Sequence, residues 1–163
     1  AFPSGALDIL DLGCGTGLSG LALRPVARRL VGIDLASNML AKARQRGVYD
    51  ELVCTDILDD LRRREEGRFD LVVAADVFVY LGNLDGVFRE CRRVVRDGGR
   101  FVFSVEAMEG DGIELRPSLR YAHSETYLRR LAGQHRFRWE SSTSATLRLD
   151  NGVPIRGEIV VLG

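Results

Sequence analysis

The chain has 163 residues, 45% of them hydrophobic and 28% charged, which is typical of one soluble globular domain. Lysine and arginine together number 23, as do aspartate and glutamate, so the formal net charge of +0 disfavours nucleic-acid binding through an overall basic surface. No apolar run approaches the roughly 18–20 residues of a membrane span. We expect a single domain over residues 1–163 with no nucleic-acid or membrane partner, and its oligomeric state stays open.

The three cysteines, Cys14, Cys54 and Cys91, lie far apart and form no CxxC motif. This spacing indicates neither a disulfide framework nor a zinc site, so we expect no metal. Free thiols are typical of a reducing compartment, and a cytoplasmic location is therefore expected.

Short and mostly continuous apolar runs alternate with amphipathic stretches over the first two thirds of the chain. Continuous apolar strands are typical of a parallel sheet that is covered on both faces. The pattern predicts strands at residues 6–12, 30–35, 52–55, 69–75 and 100–105. It predicts helices at residues 18–29, from Ser37 onward with Ser37 as the cap, and at 84–95.

The last third of the chain has a different pattern. A helix is predicted from Ser124 to about residue 132, and the least structured stretch is expected at residues 106–123. Two strand-like runs, 137–149 and 153–162, flank an Asn-Gly pair, which indicates a hairpin. The predicted fold is an α/β sheet, mostly parallel, with helices on both faces and a C-terminal antiparallel hairpin.

A glycine-rich segment, with Gly13, Gly15 and Gly17, follows the first predicted strand directly. Glycines there allow a tight turn and a close approach of the backbone to a ligand. Asp34 ends the second strand, 21 residues after Gly13. An acidic residue about 20 residues after such a glycine loop can accept hydrogen bonds from both ribose hydroxyls. Asp56 follows the third strand, where its carboxylate either accepts from an adenine amine or caps the next helix.

The glycine spacing also distinguishes between nucleotides. A dinucleotide pyrophosphate favours G-x-G-x-x-G, whereas this loop reads G-x-G-x-G and follows Asp11. A carboxylate beside the loop repels a pyrophosphate and attracts an ammonium group. The loop therefore suits a nucleoside with a cationic amino-acid tail. An NAD-dependent oxidoreductase and a non-catalytic module that binds a nucleoside or a protein remain as alternatives.

Five segments in register, LDLGCGTG, GIDLASNML, CTDI, FDLVVAADVFVYL and VRDGGRFVFS, resemble the successive motifs of class I S-adenosylmethionine-dependent methyltransferases. The resemblance covers about residues 7–105. It implies a seven-stranded Rossmann-like sheet that binds S-adenosylmethionine and releases S-adenosylhomocysteine. It also implies methyl transfer by in-line displacement. The terminal hairpin fits the antiparallel sixth and seventh strands of that family.

The resemblance implies site residues as well. The expected cofactor contacts are Asp11, Gly13, Cys14, Gly15, Gly17, Asp34, Leu35, Met39, Asp56, Ile57 and Asp76. The candidate catalytic residues are Asp76, Tyr80 and His123. A histidine can act as a base near neutral pH, but His123 can equally be a residue that only precedes the Ser124 cap. Tyr80 can wall a pocket beside the cationic methyl donor or simply pack.

Two further features refine the resemblance. The stretch RYAHSETYLRRLAG, at residues 120–133, resembles predicted small-molecule methyltransferases that sometimes follow tetratricopeptide repeats. The sequence DVFVY after the fourth strand replaces the N-P-P-Y signature of enzymes that methylate DNA or glutamine, so a small-molecule acceptor is expected. The helical segment that usually precedes the first strand is expected to be missing here.

Overall fold

A nine-stranded sheet is the centre of the computed structural model, which describes residues 5–150 and 152–163. The strands are β1 (Leu7–Leu12), β2 (Ala27–Asp34), β3 (Glu51–Cys54), β4 (Phe69–Ala74), β5 (Val95–Met108), β6 (Ile113–Leu115), β7 (Tyr121–Ser124), β8 (Trp139–Asp150) and β9 (Val153–Leu162).

The helices are short. They are α1 (Leu18–Leu23), α2 (Ser37–Arg46), α3 (Ile57–Arg63), α4 (Asp85–Val94) and α5 (Glu125–Gln134). Two 3-10 turns, Arg24–Val26 and Phe78–Tyr80, complete the set. Across the residues that the structure describes, no helix has both the length and the apolar character required to cross a membrane.

Parallel pairing builds the first half of the sheet, in the order β3-β2-β1-β4-β5. All six residues of β1 are buried, as expected for the central strand of a sheet with helices on both faces. Beyond β5 the sheet divides: β9 pairs antiparallel with the middle of β5 and with β8, while β7 pairs parallel with the end of β5. The carboxyl ends of β1, β2 and β4 therefore lie at one edge.

Aromatic packing fixes the segment that follows β4. Phe78 lies in the turn Phe78–Tyr80 and is fully buried against Phe101 and Phe103 of β5, with ring centroids 6.1 and 5.4 Å away. Edge and tilted ring contacts of this kind add to the free energy gained by burial. Because Phe78 is anchored, the neighbouring Tyr80 is held outward and is 63% exposed.

The predicted fold class is confirmed, with nine strands where seven were expected. The additional strands, β6 and β7, form over residues 113–124, and β5 extends to Met108 to pair with β7. These strands have only three and four residues, and all three residues of β6 are exposed. Such short elements leave no hydrophobic periodicity, so the stretch was wrongly expected to be the least structured.

Two helix boundaries differ from the prediction. The helix expected over residues 18–29 ends at Leu23 and is followed by a 3-10 turn with Pro25 in its first turn, because proline cannot donate a helical hydrogen bond. Ser37 is the first residue of α2 and not its cap. The cap position is Ala36, whose N–H donates to Asp34 Oδ1 at 2.8 Å.

The C-terminal helix and hairpin follow the prediction. Ser124 caps α5, with its hydroxyl accepting from the Tyr127 N–H at 3.1 Å. Strands β8 and β9 pair antiparallel up to Asp150 opposite Val153. Gly152 has φ +81°, while Asn151 of the predicted Asn-Gly pair lies outside the described residues.

His123, a predicted catalytic residue, lies in β7 and is 1% exposed. Its Nε2 is 2.9 Å from the Gly82 carbonyl oxygen, so this nitrogen carries the hydrogen and donates it. Within the described part of the chain, Nδ1 is buried with no hydrogen-bond partner. Burial lowers the pKa of His123, because a protonated ring would be desolvated with an unpaired Nδ1–H.

We predict that the His123 ring makes the domain less stable in mild acid. The folded ring stays neutral while the unfolded ring takes up a proton below its ordinary pKa of about 6.5, so the free energy of unfolding falls as the pH drops below that value. Urea unfolding at pH 7.5 and 5.5 should show that the wild type loses about 1 kcal/mol more on acidification than His123→Gln does.

The control for that experiment is His135→Gln. His135 Nε2 lies 2.8 Å from Asp85 Oδ1, and the residue is only partly buried, unlike His123. This variant should keep the acid loss of the wild type. An equal acid loss in the wild type and in His123→Gln would contradict the buried, neutral state of His123.

Candidate functional site

A crevice of about 650 Å³ opens at the carboxyl edge of the sheet. Open parallel α/β sheets bind ligands at this edge. Its walls come from several loops and helix starts, and its lining residues are Gly13, Cys14, Gly15, Thr16, Leu18, Ser19, Asp34, Leu35, Ala36, Met39, Thr55, Asp56, Ile57, Ala75, Asp76, Val77, Tyr80 and Leu81.

The loop between β1 and α1 approaches the crevice with its backbone. Gly15 has φ +54°, and a Cβ atom built on it would meet no atom within 4 Å, so this position faces open space. Gly13, with φ +65°, instead lies so close to Val77 that a Cβ would overlap that side chain. The Cys14 N–H donates to the Ile33 carbonyl oxygen at 2.9 Å, which ties the loop to β2. The loop is therefore held by β2 on one side and packed against the segment that follows β4 on the other.

Asp34 connects the end of β2 with this loop. Its Oδ2 accepts from the Gly15 N–H and its Oδ1 accepts from the Ala36 N–H, each at 2.8 Å. A carboxylate offers about four lone-pair sites, so each oxygen keeps one that can accept from a ligand. The carboxylate lies in the crevice wall, partly exposed. It can thus accept a pair of hydroxyl groups without releasing the loop.

Apolar side chains with large exposed areas flank Asp34. Leu35 is 74% exposed and Met39 is 38% exposed, and both line the crevice together with Ile57. Asp56 is the N-cap of α3, where its Oδ1 accepts from the backbone N–H groups of the helix. This position is compatible with both roles that the sequence left open for Asp56, a contact with adenine and capping of the helix. The crevice therefore combines an apolar lining with the carboxylates of Asp34 and Asp56.

Asp11 lies under the glycine loop and is fully buried. Its Oδ2 accepts from the hydroxyls of Ser19 and Tyr49, both at 2.6 Å. Burial raises the pKa of Asp11 to about 6, the two hydroxyl donors oppose that rise, and the nearby Asp34 adds to it. Asp11 does not line the crevice, but its partner Ser19 does.

Cys14 lines the crevice and is 4% exposed. Burial raises the pKa of its thiol to about 12, and the carboxylates of Asp11 and Asp34 act in the same direction. The thiol is therefore neutral near pH 7 and is not a nucleophile.

Asp76 follows β4 and has φ +52°, which is unusual for a residue with a Cβ atom. Two contacts hold it there: its N–H donates to Ser104 Oγ at 2.8 Å, and its Oδ1 accepts from Arg148 Nη1 at 2.8 Å. Arg148 comes from β8 and also pairs with the buried Glu106. The C-terminal hairpin therefore positions a residue of the crevice wall.

The structure brings most of the predicted site residues together. Gly17 and Asp11 do not line the crevice. His123 lies outside it and lines a separate, smaller cavity. Sequence analysis missed Ser19, although its place in the first turn after the loop is a signal for it. It also missed Tyr49 and Arg148, which reach the site from distant segments with no local motif. Residues 5–150 and 152–163 contain no group of three or more His, Cys, Asp or Glu that could hold a metal ion.

A protein-family model described as a methyltransferase domain matches residues 10–103. The match begins in β1, passes through the glycine loop and Asp34, and ends in β5. It thus includes the crevice wall from the loop to Leu81.

Curated relatives are similar over more than half of the chain. A malonyl-[acyl-carrier protein] O-methyltransferase from Geobacter sulfurreducens is 40% identical over 120 residues, which is 70% of this chain and 43% of that protein. A ubiquinone biosynthesis O-methyltransferase from Xanthomonas oryzae pv. oryzae is 26% identical over 99 residues, which is 59% of this chain and 41% of that protein. The chain spans less than half the length of these relatives.

Solved structures share the fold. A methyltransferase from Methanosarcina mazei has a TM-score of 0.77 at 18% identity, over 99% of this chain and 93% of that one. The 1,6-didemethyltoxoflavin-N1-methyltransferase from Burkholderia thailandensis, solved with S-adenosylhomocysteine, has a TM-score of 0.77 at 19% identity, over 96% of this chain and 70% of that one. Because the family model covers more than half of the sequence, the chain belongs to the methyltransferase domain family.

Proposed function

We propose that the crevice binds S-adenosylmethionine and that the protein transfers its methyl group to a small-molecule acceptor. The observation that carries this proposal is the position of Asp34, which holds the loop through Oδ2 and the start of α2 through Oδ1 and keeps an acceptor site on each oxygen at the crevice. Family membership favours this activity over nicotinamide-dependent oxidoreduction.

The residues of the crevice fit the parts of that nucleoside. Asp34 is suited to the two ribose hydroxyls, and the exposed faces of Leu35 and Met39 are suited to cover the adenine. Asp56 and Ile57 line the same crevice and are suited to contact the adenine. The open space over Gly15 admits the amino-acid tail, whose ammonium group is favoured by the buried anion of Asp11.

S-adenosylmethionine supplies a methyl group on a positively charged sulfur that leaves with the bonding electron pair. Asp76, Tyr80 and Leu81 line the remaining part of the crevice, so the acceptor is expected there. These residues act by holding the acceptor in line and by excluding water, which can lower a barrier by about 7–11 kcal/mol. Asp76 can accept a proton when the acceptor arrives as an acid. The exposed Tyr80 ring can cover the cationic donor.

The relatives and the size of the crevice together favour a small-molecule acceptor. The names of the relatives include a malonyl-acyl-carrier-protein, a ubiquinone-pathway and a toxoflavin-precursor methyltransferase, which differ widely in acceptor. A crevice of about 650 Å³ that also admits a nucleoside leaves room for a small molecule or a short acyl group.

The free thiols of Cys14, Cys54 and Cys91 support a cytoplasmic location.

The first test of the proposal is Asp34→Ala. Loss of the carboxylate removes the hydrogen bonds to the ribose, so affinity for S-adenosylhomocysteine should fall by about 1.5–3 kcal/mol in titration calorimetry. Asp97→Ala is the matched control, because Asp97 is fully exposed at the amino-terminal part of β5. Unchanged affinity in Asp34→Ala would contradict the ribose assignment.

The second test is Gly15→Val. Its side chain would project into the open space of the crevice, so binding of S-adenosylhomocysteine should be abolished. The control is Gly98→Val, since Gly98 also has positive φ (+77°) with nothing within 4 Å but lies in β5 away from the crevice. Both variants carry similar backbone strain and should stay folded by circular dichroism. Normal binding by Gly15→Val would show that the loop is only a turn.

The third test is turnover. Labelled S-adenosylmethionine is incubated with a panel of carboxylic acids, phenols and small amines, and methylated product is measured by chromatography. At least one acceptor should be methylated, and Asp76→Asn should lower kcat for it by tenfold or more. Binding of S-adenosylhomocysteine without turnover of any acceptor would favour a non-catalytic nucleoside-binding module.

A further inference from the structure

We propose that Tyr49, a residue outside the crevice, is a positioning residue for cofactor binding, since with Ser19 it holds Asp11 as a buried anion that attracts the ammonium end of the cofactor. This inference rests on the proposed function. Tyr49 lies in the connection between α2 and β3 and does not line the crevice. A residue outside the crevice thus controls the charge of Asp11.

The contacts place two hydroxyl donors on one carboxylate oxygen. Ser19 Oγ and Tyr49 Oη each lie 2.6 Å from Asp11 Oδ2, and 3.5 Å from one another. Within the described structure the second oxygen, Oδ1, is buried without a hydrogen-bond partner. A fully buried carboxylate with one unused oxygen is costly unless a positive charge lies nearby. The ammonium group of an amino-acid tail over the loop supplies that charge.

Three glycines make room for the Tyr49 ring. A Cβ built on Gly20 would lie 2.5 Å from the ring, one on Gly32 would lie 2.8 Å from it, and one on Gly17 would lie 3.0 Å from it. These glycines come from α1, β2 and the loop, so the ring packs against a helix, a strand and a loop next to Asp11. Gly17, which sequence analysis assigned to the cofactor, is therefore needed by Tyr49 and by the turn.

The groups around Asp11 explain why the hydroxyls of Ser19 and Tyr49 are needed to keep its carboxylate ionised. Asp34 on β2 carries a like charge, and Cys14 in the loop carries a neutral thiol, so Ser19 and Tyr49 are the groups that stabilise the ionised carboxylate. With these donors the pKa of Asp11 is about 6. Without one of them the pKa rises further, and a larger fraction of Asp11 becomes neutral at pH 7. A neutral Asp11 has no charge to attract the cofactor.

The test compares two nucleosides that differ in the amino-acid tail. S-adenosylhomocysteine carries the tail with its ammonium group, while 5′-methylthioadenosine lacks it. Tyr49→Phe keeps the ring in its cavity and removes only the hydroxyl, and Tyr121→Phe is the same deletion at a tyrosine that packs against Gly82. Calorimetric affinities for both nucleosides are measured from pH 5.5 to 8.5, and urea unfolding checks that each variant is folded.

The wild type should bind S-adenosylhomocysteine more weakly as the pH falls through about 6, because Asp11 takes up a proton. In Tyr49→Phe this transition should move to higher pH, and affinity at pH 7 should fall by about tenfold. Affinity for 5′-methylthioadenosine should change by less than about twofold, and Tyr121→Phe should match the wild type.

Two results would overturn the inference while leaving the proposed function intact. One is a wild-type affinity and pH profile for S-adenosylhomocysteine in Tyr49→Phe. The other is an equal loss of affinity for both nucleosides, which would mean that Tyr49 only shapes the fold. A wild-type protein that binds neither nucleoside would instead overturn the proposed function and the inference with it.

Discussion

The hydrogen bond from the Gly15 N–H to Asp34 Oδ2 joins the loop after β1 to the end of β2, and the rest of the site depends on it. It orients the glycine loop so that Gly15 faces open space. It also holds the Asp34 carboxylate in the wall of the crevice, where each oxygen keeps an acceptor site. Parallel pairing of β1 with β2 supplies this geometry, because it brings both strand ends to one edge.

A cost in stability accompanies this arrangement. Asp11 is buried under the loop close to Asp34, and two like charges in a low-dielectric region repel each other. The hydroxyls of Ser19 and Tyr49 offset part of that cost. Under the proposed function, the charge on these carboxylates favours a cation in the crevice, so the groups that lower the stability of the folded protein also select a positively charged ligand. At the other wall, Arg148 from the hairpin holds Asp76 at its positive φ.

The sequence predicted the parts of the fold that depend on local signals. The continuous apolar runs gave the first five strands, and the turn signal gave the hairpin of β8 and β9. The positions of Gly13, Gly15, Asp34 and Asp56 were predictable because each follows directly from a strand end. Strands β6 and β7 were not predictable, since each is too short for a periodicity and exists only by pairing. The burial of His123 and the reach of Tyr49 and Arg148 depend on packing between segments that are distant in the sequence.

A crystal structure of the protein with S-adenosylhomocysteine tests the role of Asp34 most directly. We expect both ribose hydroxyls about 2.6–3.0 Å from the oxygens of Asp34 while the loop keeps its hydrogen bond to the same carboxylate. The amino-acid tail should lie over Gly15. A nucleoside bound elsewhere, or an Asp34 carboxylate that contacts only the loop, would contradict this role.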